Sequence, residues 1–208
     1  MKSLLQGHRS FRREFAAGAR DFLTQLASEH QSPSALYVGC SDSRVVPELL
    51  TSSAPGELFV VRNIANAVPP FEHADASVGA ALEYAVEVLQ VGHIVVCGHY
   101  GCGGVKAVLD GHKKVKKLPS LYEWLDHLAP AIIESRLQYV DDDTCWRHAV
   151  EANAMQQVLN LSTYAIVRDR LEAGTLQLHG WVYDLANGHV SVFDAAGERF
   201  IDATDPSL

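Results

Sequence analysis

The sequence predicts an α/β protein built on a mainly parallel central sheet with an antiparallel edge strand, helices on both faces and an N-terminal helical arm. Three observations carry this expectation. The runs Ala35-Leu36-Tyr37-Val38, Leu58-Phe59-Val60-Val61 and His93-Ile94-Val95-Val96-Cys97 are short, apolar and rich in β-branched or aromatic residues, as strands buried on both faces are. A segment of helical period separates the second run from the third, and the order strand, helix, strand calls for a right-handed crossover and parallel pairing. Near the end, Asn187-Gly188 stands between two apolar runs, a strong short-range hairpin signal, so the sheet is expected to finish antiparallel.

Each element has its own reason. Phe11, Phe15, Phe22, Leu23 and Leu26, with charges between them, read as one or two amphipathic helices over residues 3–29, whose apolar stripe needs a cover. The helix expected at 76–89 shows Val78, Leu82, Ala85, Val86 and Leu89 at helical spacing. His112-Lys113-Lys114-Val115-Lys116-Lys117 follows Gly111 and reads as a solvated loop. Asp141-Asp142-Asp143 puts negative charge where the positive end of a helix over 144–161 would lie. Apolar runs at 176–185 and 189–193 form the expected hairpin. With no repeat or low-complexity stretch, residues 1–208 read as a single domain, with 1–29 as its arm.

Composition narrows the function. The chain is 48% hydrophobic and 20% charged, ordinary for a globular protein, so a sizeable core is available. Its 25 acidic against 17 basic side chains leave a formal charge of −8, which argues against general nucleic-acid affinity. The N-terminus lacks the apolar core of a signal peptide and no run is long enough to span a membrane, so a cytoplasmic protein with no membrane partner is expected. The four cysteines, at 40, 97, 102 and 145, lack the spacing of a disulfide framework, and a reducing compartment fits.

Cys40, His99 and Cys102 offer two thiolates and one imidazole, a donor set suited to zinc. Cys40 opens Cys40-Ser41-Asp42-Ser43-Arg44, while His99 and Cys102 lie in a glycine-rich turn. Both stretches fall at the ends of expected parallel strands, where open α/β sheets gather their ligands. Three donors leave the fourth tetrahedral position open, the mark of a catalytic zinc. Asp42 could close that position; the planar fork of Arg44 can instead hold its carboxylate by paired, charge-assisted bonds. Cys97 alternates to the other strand face and Cys145 lacks a motif, so both read as packing, and His73, His112 and His179 have no ligand pattern.

Together with Gly98-His99-Tyr100-Gly101-Cys102-Gly103-Gly104 and Arg62-Asn63-Ile64-Ala65-Asn66, these residues resemble the β-class carbonic anhydrases, and the resemblance runs from about Phe11 to about Asp194. It implies one zinc per chain on Cys40, His99 and Cys102, and the reversible hydration of carbon dioxide to bicarbonate by attack of zinc hydroxide. Asp42 would orient that hydroxide and Arg44 would keep Asp42 off the metal. Because two thiolates neutralise Zn²⁺ and three histidines do not, the bound water should be less acidic than the value of about 7 found with three histidines, giving an alkaline preference.

The plant-like branch of the family has a glutamine nine residues before the first zinc cysteine, and Gln31 stands there. The resemblance further assigns Phe59, Ile64 and Tyr84 to the wall of the carbon dioxide pocket and Gly103 to a backbone donor. It also makes the N-terminal helix a contact across a homodimer. A second branch binds regulatory bicarbonate beside an arginine, a tyrosine and a tryptophan three residues before that cysteine; Arg62 and Tyr183 match, but Tyr37 replaces the tryptophan, so this regulation is not expected. Two rival readings keep the same residues. One is a relative hydrolysing carbon disulfide or carbonyl sulfide; the other is a zinc-stabilised scaffold with Asp42 permanently on the metal, which Arg44 and Gln31 argue against.

Overall fold

The computed structural model describes residues 1–206, and the chain divides into two compact units, Met1–Ser32 and a second that begins at Pro33. The first unit holds α1 (Lys2–Phe11) and α2 (Arg20–Ser28), joined through a wider helical turn at Arg12–Ala16. None of their residues is buried, and Leu4, Leu5, Phe11, Phe15 and Leu26 stand exposed. The expected amphipathic helices are therefore present, with Phe22 and Leu23 half-buried and the other apolar residues of the stripe exposed.

In the second unit the chain runs β1 (Ala35–Cys40), α3 (Pro47–Leu50), β2 (Leu58–Asn63), α4 (Ala76–Glu83), β3 (His93–His99), α5 (Gly103–Leu109), α6 (Pro119–Asp126) and α7 (Ala129–Gln138). It continues through α8 (Asp142–Leu161), α9 (Ala165–Glu172), β4 (Gln177–Tyr183), β5 (Val190–Asp194) and β6 (Arg199–Asp202). Among the described residues these strands form one six-stranded sheet in the order β2-β1-β3-β4-β5-β6. The first four are parallel, and β4, β5 and β6 pair antiparallel, so the expected hairpin is followed by a further edge strand. The three apolar runs each extend two residues beyond their sequence signal, because Gly39 and Cys40, Arg62 and Asn63, and Gly98 and His99 stay in the ladder.

The helices cover the two faces unequally. Leu36, Val38, Ile94 and Val96 point into a core shared with Val78 and Leu82 of α4, Val158 and Leu161 of α8 and Val167 of α9. Each such burial contributes about 1.5–3 kcal/mol. On the opposite face Tyr37, Val95 and Cys97 pack with Leu50 of α3 and with Val60, Trp181 and Tyr183 of the sheet itself. A third cluster joins α5, α6, α7 and the first half of α8 around Cys40, Ala65 and Cys102.

Local chemistry fixes the helix starts. Asp75 accepts from the N–H groups of Ser77 and Val78 to cap α4, and Asp141 accepts from Thr144 N at 2.7 Å to cap α8, as the acidic run implied. The pattern over 76–89 is helical throughout, although it relaxes into a wider turn at Tyr84–Val88. The loop after α5 carries Lys113, Lys114, Lys116 and Lys117 exposed, with Val115 and His112 buried beneath them. Gly180 of β4 lets α8 cross the sheet closely, since a Cβ there would come within 2.5 Å of Met155 Sδ.

Candidate metal centre

Cys40 is the last residue of β1 and His99 the last of β3, and these two strands are neighbours. Cys102 follows three residues after His99, at the N-cap of α5. Two adjacent parallel strands and one tight turn therefore bring residues 62 positions apart in sequence to one point at the carboxyl edge of the sheet. Their donor atoms all lie within 4.8 Å of one another, and all three residues are buried.

The donor set has the electronic state a metal needs. His99 Nδ1 faces the carbonyl oxygen of Tyr100 at 3.1 Å, so Nδ1 must carry the proton. That leaves Nε2 as a lone pair, and it is buried with no hydrogen-bond partner. An orphaned buried acceptor is costly unless a cation or donor meets it. The hydrogen bond from Cys102 holds the Cys40 thiol down to about 4 despite burial, helped by His99 and by the N–H groups of Asp42 and Ala65. Cys102 moves the other way, raised by its contact with Cys40 and by burial, with the N–H groups of Gly104 and Val105 opposing. Two thiols this close resist losing both protons until a divalent cation balances the charge. Two sulfurs and a nitrogen at this spacing fit zinc, held by Cys40, His99 and Cys102.

Asp42 stands at the edge of this set, its Oδ2 3.9 Å from His99 Nε2. Arg44 grips it with a two-point fork, Nε to Oδ1 at 2.9 Å and Nη2 to Oδ2 at 2.8 Å, and its backbone N–H adds a third bond at 3.0 Å. The Arg44 contact holds the Asp42 carboxyl well below the usual carboxylate range against some desolvation. Arg62 steadies the same turn, donating to the carbonyls of Cys40 at 3.1 Å and Asp42 at 2.7 Å.

The other residues singled out by sequence fall in several places. Ile64 lines a cleft of about 430 Å³ with Ser41, Asn63, Ser120, Leu121 and Trp124, directly beside the cysteine turn. Gly103 opens α5, and a Cβ there would meet open space. Phe59 and Tyr84 pack against each other with ring centres 5.7 Å apart and line neither this cleft nor the one beside Arg44. Gln31 belongs to the first unit. Cys97 and Cys145 are buried free thiols, the former pushed up to about 12 by burial, in keeping with a packing role.

Sequence reasoning missed the frame behind the donors. Asn63 closes the turn after β2 by accepting from Ala67 N at 2.7 Å and donating to Ala67 O at 2.8 Å. Inside that turn Ala65 and Asn66 both have positive φ. Asn153 of α8 donates to Ala65 O, and Trp124 of α6 donates to Ile64 O. The polar residues Asn153, Gln157 and Asn160, at helical spacing, were the available signal.

Fold and site together define a metal-binding α/β protein whose soft, three-donor centre lies at the carboxyl ends of parallel strands. A family model described as carbonic anhydrase matches residues 35–190, and the chain belongs to that family. A carbonic anhydrase of Pseudomonas aeruginosa is 41% identical over 206 residues, covering 99% of this chain and 93% of the relative. One from Synechococcus elongatus is 40% identical over 193 residues, 91% of this chain and 70% of its own. Among solved structures, the beta-carbonic anhydrase CcaA superposes with a TM-score of 0.93 at 36% identity, covering 99% of this chain and 93% of that one. A tetrameric beta-carbonic anhydrase from Sordaria macrospora gives 0.84 at 28% identity, over 93% and 96% of the two chains. The chain is thus of the β class.

Proposed function

We propose that this chain is a zinc enzyme catalysing the reversible hydration of carbon dioxide to bicarbonate and a proton. The observation that carries the reading is the buried Cys40, His99 and Cys102 set with Asp42 drawn aside by Arg44. Zinc bound there would supply an acidified water as the nucleophile.

The chain's own residues do the rest. His99 presents Nε2 because Tyr100 O fixes its tautomer. Asp42 stays ionised and, from the edge of the set, can accept a hydrogen bond from the nucleophile and turn a lone pair toward the substrate. Arg44 occupies both carboxylate oxygens and so restrains Asp42 from becoming a fourth ligand. The cleft at Ile64, Leu121 and Trp124 is mainly apolar, which suits a small apolar substrate. We assign Gln31 and Gly103 as substrate donors and Phe59 and Tyr84 as apolar wall by resemblance.

The relatives bear the name carbonic anhydrase, which favours this reading over hydrolysis of carbon disulfide or carbonyl sulfide. The clamped Asp42 argues against a closed, purely structural zinc. The exposed apolar residues of the first unit, and the tetrameric neighbour from Sordaria macrospora, support a homo-oligomer built on dimers. No helix among the described residues is long and apolar enough to cross a membrane. Four buried free thiols favour a reducing cytoplasm.

The test is stopped-flow carbon dioxide hydration with zinc measured on the same sample. One zinc per chain and hydration activity are expected. Cys40→Ser and His99→Ala should lose metal and rate together and melt earlier, because metal bound only by the folded state stabilises it. Full activity in zinc-free protein would defeat the reading.

A further inference from the structure

Away from the Cys40 centre, the sheet also brings two imidazoles together. His93 opens β3, and His179 lies in β4, the neighbouring parallel strand. In register, His93 stands opposite Gln177 and Val95 opposite His179. Alternate residues of a strand share a face, so His93 and His179 project from the same side of the sheet. His93 Nδ1 and His179 Nε2 are 3.1 Å apart, with ring centres separated by 5.3 Å and planes tilted by 44°. No spacing along the chain announces the pair, because its members are 86 residues apart.

That separation suits two donors on one cation. Ring nitrogens bind zinc at about 2.0–2.1 Å, so two of them on the same ion lie about 2.9 Å apart at a right angle and about 3.3 Å apart in a tetrahedron. The observed distance falls between the two. The backbone beneath the rings is already tied down: Gln177 N donates to Gly92 O at 3.0 Å, and Gly92 N donates to Ser34 O at 3.1 Å. Only the rings have to turn, which keeps the ordering cost of binding low. Burial, and then the neighbouring His93, hold the half-buried His179 imidazole below its ordinary value, so it offers a lone pair near neutrality. His93 is exposed, which leaves the remaining coordination positions to water. The formal charge of −8 favours the approach of cations.

We propose that His93 and His179 form a second metal site, which takes a divalent transition-metal ion of the class that imidazole prefers, Cu²⁺ ahead of Ni²⁺ and Zn²⁺. Without an ion, one neutral ring donates a hydrogen bond to the other. When the ion binds, the donating ring carries its proton on its other nitrogen instead, so both facing nitrogens offer lone pairs, no proton is lost overall and no electron is transferred. The site lies at the opposite end of β3 from His99, six residues away, or roughly 20 Å along a strand. The inference is independent of carbon dioxide hydration. It bears on the zinc count, because protein kept in excess zinc should hold more than the one ion of the Cys40 centre.

The test titrates the zinc-loaded full chain with Cu²⁺ up to one equivalent, reading nitrogen couplings by electron paramagnetic resonance and measuring retained zinc on the same sample. One copper ion coupled to two imidazole nitrogens is expected, with zinc undiminished. His93→Gln, at an exposed position, should abolish the two-imidazole signal, and His179→Gln should do the same. If His179→Gln does not fold, His93→Gln decides alone. His189→Gln is the comparison: His189 Nδ1 lies 2.9 Å from Asp202 Oδ2, a rival pair on the edge hairpin, and its loss should leave the signal intact. Copper coupled to fewer than two imidazoles, a two-imidazole signal that survives His93→Gln, or one that disappears in His189→Gln would overturn the proposal. Copper that displaces the zinc would assign its uptake to the Cys40 centre and would overturn it equally.

Discussion

Asp42 shows how one side chain's partner can separate a catalytic metal site from a closed one. Its carboxylate is near enough to join the donors, yet both oxygens are committed to Arg44. Asp42→Asn should retain zinc and lose most of the hydration rate, because an amide cannot replace the carboxylate as acceptor; metal analysis beside stopped flow checks this. Arg44→Ala should let Asp42 reach the metal, and a structure of the zinc-loaded variant would show it. The pH dependence follows from the sign of the shift. Since the folded-state pKa of Asp42 is depressed, its charged form and the Arg44 pair are fully present above the usual value of about 4 and are lost only as pH falls through the depressed value. No activity limb near neutrality should come from Asp42. Tyr37 bears on regulation: its ring covers Gly39 and its hydroxyl is buried without a partner, while Arg62 is tied to the Cys40 and Asp42 carbonyls. Initial rates from about pH 6.5 to 9, with and without bicarbonate, should follow one titration with only ordinary product inhibition. A cooperative shutdown deepened by bicarbonate and relieved by Arg62→Ala would contradict that.

At the scale of elements, α5, α6 and α8 brace the centre that the sheet brings together. The strands supply Cys40 and His99, but the turn after β2 is pressed between α5, α6 and α8. Gly104 is the point of closest approach: an added Cβ would lie 2.9 Å from Ala65 Cβ and 3.2 Å from Ile64 Cγ2. Gly104→Ala should therefore push α5 off the Ala65 turn. A stability loss of about 1–3 kcal/mol, the usual cost of overpacking a close contact, is expected in urea unfolding of the zinc-loaded protein. Weaker zinc retention should accompany it, because Gly104 N–H faces Cys102. A variant as stable and as tightly metallated as the parent would show that the contact yields freely.

At the scale of the molecule, the exposed apolar residues of α1 and α2 are the features an oligomer would use. Leu4 is 73% and Leu5 53% exposed, and exposed apolar groups clustered on one short arm mark an association surface more than a solvent-facing one. Removing residues 1–27 should convert the protein to smaller, less stable species in sedimentation velocity. A truncated chain that stays an active dimer would assign the association to another surface.

The sequence by itself determined the three apolar strands, their parallel pairing, the antiparallel turn at the sheet's edge, and the metal donors. Continuous apolar runs can be satisfied only by burial on both faces, and Cys40, His99 and Cys102 carry their chemistry in their identity. It also held the helix expected over 144–161, which the structure begins at Asp142 within the acidic run that announced it. Only the tertiary structure decided the rest. The strand β6 is four residues long and gains its pairing from β5, which no local pattern forecasts. The left-handed Ala65 has no glycine to announce it. Asn153, Gln157 and Asn160 are polar and, along the chain alone, belong equally to a solvated helix face; they are buried because backbone groups some 90 residues away need partners. Burying an amide costs free energy unless its partner is already in place, and that partner is set by the fold as a whole.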